Sequence, residues 1–179
     1  MSEQRAALRS LRAPAIVTGV GLGGFFDGIV FHQVLQWHHM LSNSGADRVG
    51  LPAYDETTLD GLRANVLWDG IFHVTTYVLV VVGLALLWRG LRRTGPARPP
   101  WPMLWGGLLT GWGVFNLVEG VINHHLLAIH HVYDTGDPTT TLLVDLVFLG
   151  SGAALLAVGA LLMRRALSAA GRETSDTTA

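Results

Sequence analysis

The sequence contains no cysteine, which excludes disulfide staples, thiolate metal sites and cysteine nucleophiles, and leaves only nitrogen and oxygen as metal ligands. It contains no lysine either, since all 12 basic residues are arginine. Charge of both signs is scarce: 14% of the 179 residues are charged, half are hydrophobic, and the mean hydropathy is +0.40. Such values exclude an ordinary soluble domain and belong to an integral membrane protein, whose partner is the lipid bilayer and not a nucleic acid. The net charge of -1 hides a segregation of arginines from acids along the chain.

Four apolar segments, 14–40, 61–88, 102–132 and 139–163, each hold the ~20 residues that a transmembrane helix needs. Arg5, Arg9 and Arg12 precede the first, Arg89, Arg92, Arg93 and Arg98 separate the second from the third, and Arg164, Arg165 and Arg172 follow the fourth. The positive-inside rule then makes both termini and the middle connection cytoplasmic. Asp47, Asp55, Glu56 and Asp60, then Asp134 and Asp137, fall in outward-facing loops, and Trp37, Trp68, Trp88, Trp101 and Trp105 lie near segment ends as interfacial residues do. The expected organisation is a cytoplasmic arm (1–13), a first helical hairpin (14–92, with an outer loop at 41–60), a cytoplasmic linker (93–101), a second hairpin (102–166) and a flexible cytoplasmic tail (167–179). The first segment has no small-residue cleavage site and is read as retained, not as a signal peptide.

The two hairpins resemble each other. At an offset of 92, Thr18, Gly19, Gly21, Gly28, His32, Leu35, His38 and His39 meet Thr110, Gly111, Gly113, Gly120, His124, Leu127, His130 and His131, with Asp27 opposite Glu119. At an offset of 76, Leu67, Asp69, Phe72, Gly83 and Arg89 meet Leu143, Asp145, Phe148, Gly159 and Arg165. The fold expected is an all-α, four-transmembrane-helix bundle built from two tandem parallel repeats, related by a pseudo-two-fold axis along the membrane normal. Glycines at 19, 21, 23, 24, 106, 107, 111 and 113 allow close helix approach, either within one bundle or between protomers of a homodimer. The match of GVGLGG to a dinucleotide fingerprint is discounted, because no strand precedes it.

The ionisable residues of these segments gather toward their outward ends. Asp27, Asp69, Glu119 and Asp145 supply one carboxylate per helix, and His32, His38, His39, His73, His124, His130 and His131 accompany them. An ion in the hydrocarbon costs ~3 kcal/mol or more, and no arginine is close enough in sequence to pair with these acids. Bound cations, protons or imidazolium partners must balance them. At about 100° per residue, Asp27, His32, His38 and His39 share one arc of a helix, and Glu119, His124, His130 and His131 share the equivalent arc. Asp69 and His73 share another face, whereas Gln33 and His125 point elsewhere. The spacing predicts two layers: Asp27, Asp69, His73, Glu119 and Asp145 deeper, with His32 and His124, and His38, His39, His130 and His131 above them. Imidazole and carboxylate together suit copper, iron or zinc, while Glu-x-x-His, the di-metal carboxylate signature, is absent. Bis-histidine haem through His32 and His124 is a lesser alternative, and a proton relay without metal is another. The relay is disfavoured by the lack of titratable groups in the inner halves of the segments.

The runs GFFDGIVFHQVLQWHHML, LWDGIFH and NLVEGVINHHLL followed by IHHVY resemble a family of predicted bacterial membrane proteins, domain of unknown function 2243. The resemblance implies four transmembrane helices in the bacterial cytoplasmic membrane. It also implies a link with respiratory-oxidase assembly, which points toward copper or haem handling. The expectation is a multi-pass membrane metalloprotein with an outward-facing His/Asp/Glu site used for metal handling or redox chemistry.

Overall fold

The computed structural model describes residues 3–42, 50, 54–95, 100–133 and 136–176. Asp47, Arg98 and Asp134, used above for topology, lie outside them. Four α-helices follow in chain order: α1 (Glu3–Asp27), α2 (Leu59–Thr94), α3 (Trp101–Glu119) and α4 (Pro138–Asp176). α1 continues into a π-helical segment, Gly28–Val34, and α3 into another, Gly120–Leu126. Among the described residues there is no strand.

The ends of these helices follow local chemistry. Thr58 caps α2 by accepting the Gly61 amide at 3.1 Å, and Gly95, with φ of 47°, closes it by donating to the Leu91 carbonyl. Asp137 accepts the Thr140 hydroxyl at 2.7 Å and its amide at 3.0 Å, which holds its carboxyl below the usual carboxylate range, and Pro138 opens α4 where no N–H is needed. α1 begins at Glu3 and α4 runs to Asp176, so helix extends beyond the arm and tail boundaries expected at 13 and 167. Pro14 lies within α1 and Gly171 within α4, and neither ends its helix.

Three helical stretches, Glu3–Val34, Leu59–Arg93 and Pro138–Arg172, are long and apolar enough to cross a membrane. α2 and α4 expose Val66, Leu67, Val74 and Val78, then Leu143, Val147, Val158 and Leu161, faces that a water-soluble protein would bury.

The helices lie in the order α2, α1, α3, α4. α1 packs against α2 and α3 and touches α4, α3 packs against α1 and α4, and α2 meets α3 through the rings of Phe72 and Phe115, 6.1 Å apart. α1 and α3 are thus the central pair, flanked by α2 and α4. Glycine explains the arrangement. α1 and α3 carry small residues on two faces: Gly19 and Gly111 seat each helix on the other's backbone, while Gly21 receives Val80 of α2 and Gly113 receives Gly152 and Leu156 of α4. The outer helices answer with Gly83 against Thr18 and Gly90 against Leu11 on α2, and with Gly152 against Asn116 and Gly159 against Thr110 on α4. At the arginine-bearing end Leu11, Met103 and Met163 form an apolar plug, and Arg5 lies beside Gly171. The histidines occupy the opposite end.

Candidate metal centre

Both central helices change character at their carboxylate. After Asp27 and after Glu119 the backbone widens to a π-helix, and it then turns sharply at Gln36 (φ 50°) and Ala128 (φ 49°), left-handed conformations that a residue with a side chain seldom adopts. The bonds that close these turns match pairwise: Leu35 to Val30 and Leu127 to Ile122, both at 2.8 Å, then Trp37 to Phe31 at 2.9 Å and Ile129 to Asn123 at 3.0 Å. A straight α-helix would carry His38 and His130 away from the membrane interior. The turn instead folds them back over His32 and His124, and the predicted two layers collapse into one cluster.

The His38 and His130 rings stack at 4.7 Å with 4° between their planes. His32 lies 4.4 Å from His38, and His124 lies 5.1 Å from His130, both edge to face. All four imidazoles are buried, as are Asp27 and Glu119. Asp27 Oδ2 stands 3.3 Å from His32 Nε2, whereas Glu119, one methylene longer, reaches His124 Nε2 at 3.1 Å and His130 Nε2 at 2.7 Å. Two triads, His32/His38/His130 and Glu119/His124/His130, bring one ligand atom per residue within 4.8 Å of one another.

An outer ring fixes the far side of each imidazole. His32 Nδ1 meets Asp69 Oδ1 at 2.8 Å, His38 Nδ1 meets the Val132 carbonyl at 2.8 Å, and His130 Nδ1 meets the Met40 carbonyl at 3.1 Å. His124 Nδ1 approaches Asp145 Oδ1 at 3.4 Å, without hydrogen-bond alignment. The partners of His32 and His38 can only accept, so in these two rings Nδ1 carries the proton, whereas His130 is bonded through both nitrogens, Nδ1 to the Met40 carbonyl and Nε2 to Glu119 Oε1 at 2.7 Å. Three Nε2 atoms and the Glu119 carboxylate then face one buried centre. The Nε2 atoms of His32, His38 and His124 and Glu119 Oε2 have no hydrogen-bond partner there. So electron-rich a set is stable only around positive charge.

Asp69 and Asp145 approach the cluster from its outer side, at Nδ1 of His32 and His124. Asp69 also accepts His39 Nδ1 at 2.6 Å and the Met40 amide at 2.9 Å, and Asp145 accepts His131 Nδ1 at 2.7 Å and the Val132 amide at 3.0 Å. His39 and His131 belong to this ring as well. His73 stands apart, its Nδ1 bonded to the Asp69 carbonyl of its own helix at 2.7 Å and its Nε2 against Gly28. Sequence reasoning missed several supports. Phe72 stacks on His32 at 5.6 Å and Phe148 packs on His124 at 5.3 Å, a pair the offset of 76 already matched. Asn65 receives the Leu41 amide and donates to the Tyr54 carbonyl, clamping the loop beneath His39, and nothing in its sequence position announces this.

Asp69→Asn tests the orienting role. One acceptor oxygen becomes an NH2 group facing groups that themselves donate, so the His32 ring loses its fixed tautomer. Metal affinity, measured by chelator competition, is expected to fall about 10- to 100-fold. Unchanged affinity would remove Asp69 from the site.

Haem fits this geometry poorly. His38 and His130 lie against both His32 and His124, filling the slot that a porphyrin between those two would need.

A family model described as "Predicted membrane protein (DUF2243)" matches residues 14–166. No curated protein and no solved structure matches the chain.

Proposed function

The chain belongs to that family of predicted membrane proteins, and from this premise we propose that it is a multi-pass metalloprotein that holds copper, iron or zinc between its two central helices. The observation that carries the reading is the convergence of the His32, His38 and His124 Nε2 atoms and Glu119 Oε2, all buried and without a hydrogen-bond partner. His32, His38, His124 and His130, with Asp27 and Glu119, would hold the ion, and Asp69, Asp145, His39 and His131 would fix their orientation. The ion would supply charge balance and redox or ligand-exchange chemistry.

In this reading α3 with its π-helical continuation is a fourth span, and the chain is two tandem hairpins, 14–92 and 102–166. Support comes from the matched bonds: Asp69 with His32, His39 and Met40 has its counterpart in Asp145 with His124, His131 and Val132. The arginine-rich end faces the cytoplasm of a bacterial cell, which sets the metal at the extracytoplasmic face of the inner membrane. The link with respiratory-oxidase assembly makes copper the first metal to assay.

Elemental analysis and a visible spectrum of gently solubilised protein, never exposed to chelator or to an immobilised-metal column, test the proposal. Near-stoichiometric copper, iron or zinc is expected. Protein that stays metal-free after growth in metal-supplemented medium would replace the reading with a cluster balanced by protons alone.

A further inference from the structure

The two halves of the centre are not equivalent, and the difference opens one side of it. Glu119 spans two imidazoles, whereas the shorter Asp27 approaches only His32. Next to Asp27 lies a cavity of about 250 Å³ between α1, α3 and α4. Its walls are aromatic, formed by Phe26, Phe31, Trp112 and Phe148, and its polar residues are Asp27, Asn116 and Ser151. Asn116 donates to Ser151 Oγ at 3.0 Å, and Ser151 donates to the Phe148 carbonyl at 2.6 Å.

The equivalent position in the first half is filled. There Gly24 stands in place of Asn116, with the Phe115 ring and Thr76 packed tightly against it, and Thr75, in place of Ser151, turns its hydroxyl back to Ile71. The cavity is therefore an addition to one half. Phe26 is 44% exposed on a helix whose surroundings are lipid, so the route in is lateral, from the bilayer.

The lining defines what fits. A cavity of roughly 150 Å³ holds benzene, so one substituted aromatic ring fits here, with any longer tail left among the lipids. Aromatic walls favour a planar ring, by offset or edge-on contact. Asp27 lines the polar end, 3% exposed, and its carboxyl oxygens are hydrogen-bond acceptors. A ligand that satisfies it brings a hydroxyl donor.

We propose that this cavity binds a lipophilic phenol or quinol head group from the bilayer, with its hydroxyl directed at Asp27 on the open side of the histidine cluster.

The test uses full-length protein in lipid nanodiscs and two photoreactive probes, a 4-alkylphenol bearing a diazirine in its chain and the methyl ether of the same compound. The phenol is expected to label peptides covering 23–31, 109–116 or 148–155 about tenfold above the ether, since the hydrogen bond to Asp27 is lost in the ether. Leu155→Trp, which fills the cavity from α4 without touching a histidine or an acid, is expected to lower phenol labelling by a similar factor. Equal labelling by phenol and ether in the unaltered protein would overturn the proposal and make the cavity a slot for acyl chains. Labelling confined to other segments would overturn it as well. Metal content, measured on the same samples, reports separately on the metalloprotein reading.

Discussion

Alanine at both His32 and His124 is expected to empty the centre, lowering metal from near one ion per chain to less than about a tenth of that, since even disturbing an outer partner costs 10- to 100-fold in affinity. Each of these imidazoles is 1% exposed and belongs to a different ligand triad, so the double substitution damages both triads at once. Asp69 and Asp145 keep their bonds to His39, His131 and the Met40 and Val132 amides, and Glu119 keeps His130, whereas buried Asp27 loses His32, so thermal unfolding of the variant is measured beside its metal content. His125→Ala is the control, because His125 is exposed and belongs to neither triad. Elemental analysis of the variants alongside the parent decides the matter: full metal content in the double variant would strip both residues of their proposed role.

The largest structural effect is expected from Gly111→Leu. A Cβ on Gly111 would strike the Ile16 carbonyl and the Val20 amide, and both obstacles are backbone, unable to rotate away. α1 and α3 would have to separate, and the centre that hangs from their ends would separate with them. Overpacking costs typically about 1–3 kcal/mol even where side chains can yield, so loss of monodisperse, metal-loaded protein is the expected outcome. Gly150→Ala supplies the contrast, since a Cβ there meets nothing within 4 Å. On propensity it should stabilise α4 by about 0.5–1 kcal/mol. Size-exclusion profiles and thermal unfolding of both variants in detergent separate the two cases. If Gly111→Leu unfolds at the same temperature as the parent, the close α1/α3 contact is not what holds the centre.

Much of this protein could be read from its sequence, for physical reasons that can be named. A long apolar run has few options other than a helix, so the helices and their approximate extents were legible. Ionisable residues are costly in hydrocarbon, so a duplicated set of acids and histidines marks the candidate site. The glycine faces announced close helix contacts, and the offsets of 92 and 76 paired residues that make matching bonds, such as Asp69 and Asp145 with their histidines.

What the sequence left open was how the ligands divide between centre and support. Angular spacing assumes a regular α-helix, and that assumption fails at Gly28 and Gly120, where the chain widens and then reverses through Gln36 and Ala128. His38 and His130 enter the centre only because of that reversal, and Asp69 and Asp145 approach it from its outer side only because α2 and α4 stand outside the central pair. The same holds for the flanking places of α2 and α4 and for the cavity beside Asp27. The residue types were fixed by the chemistry each needs, and that is local. Which atom faces which is set by backbone geometry and by contacts between residues far apart in the chain, and only the folded structure decides it.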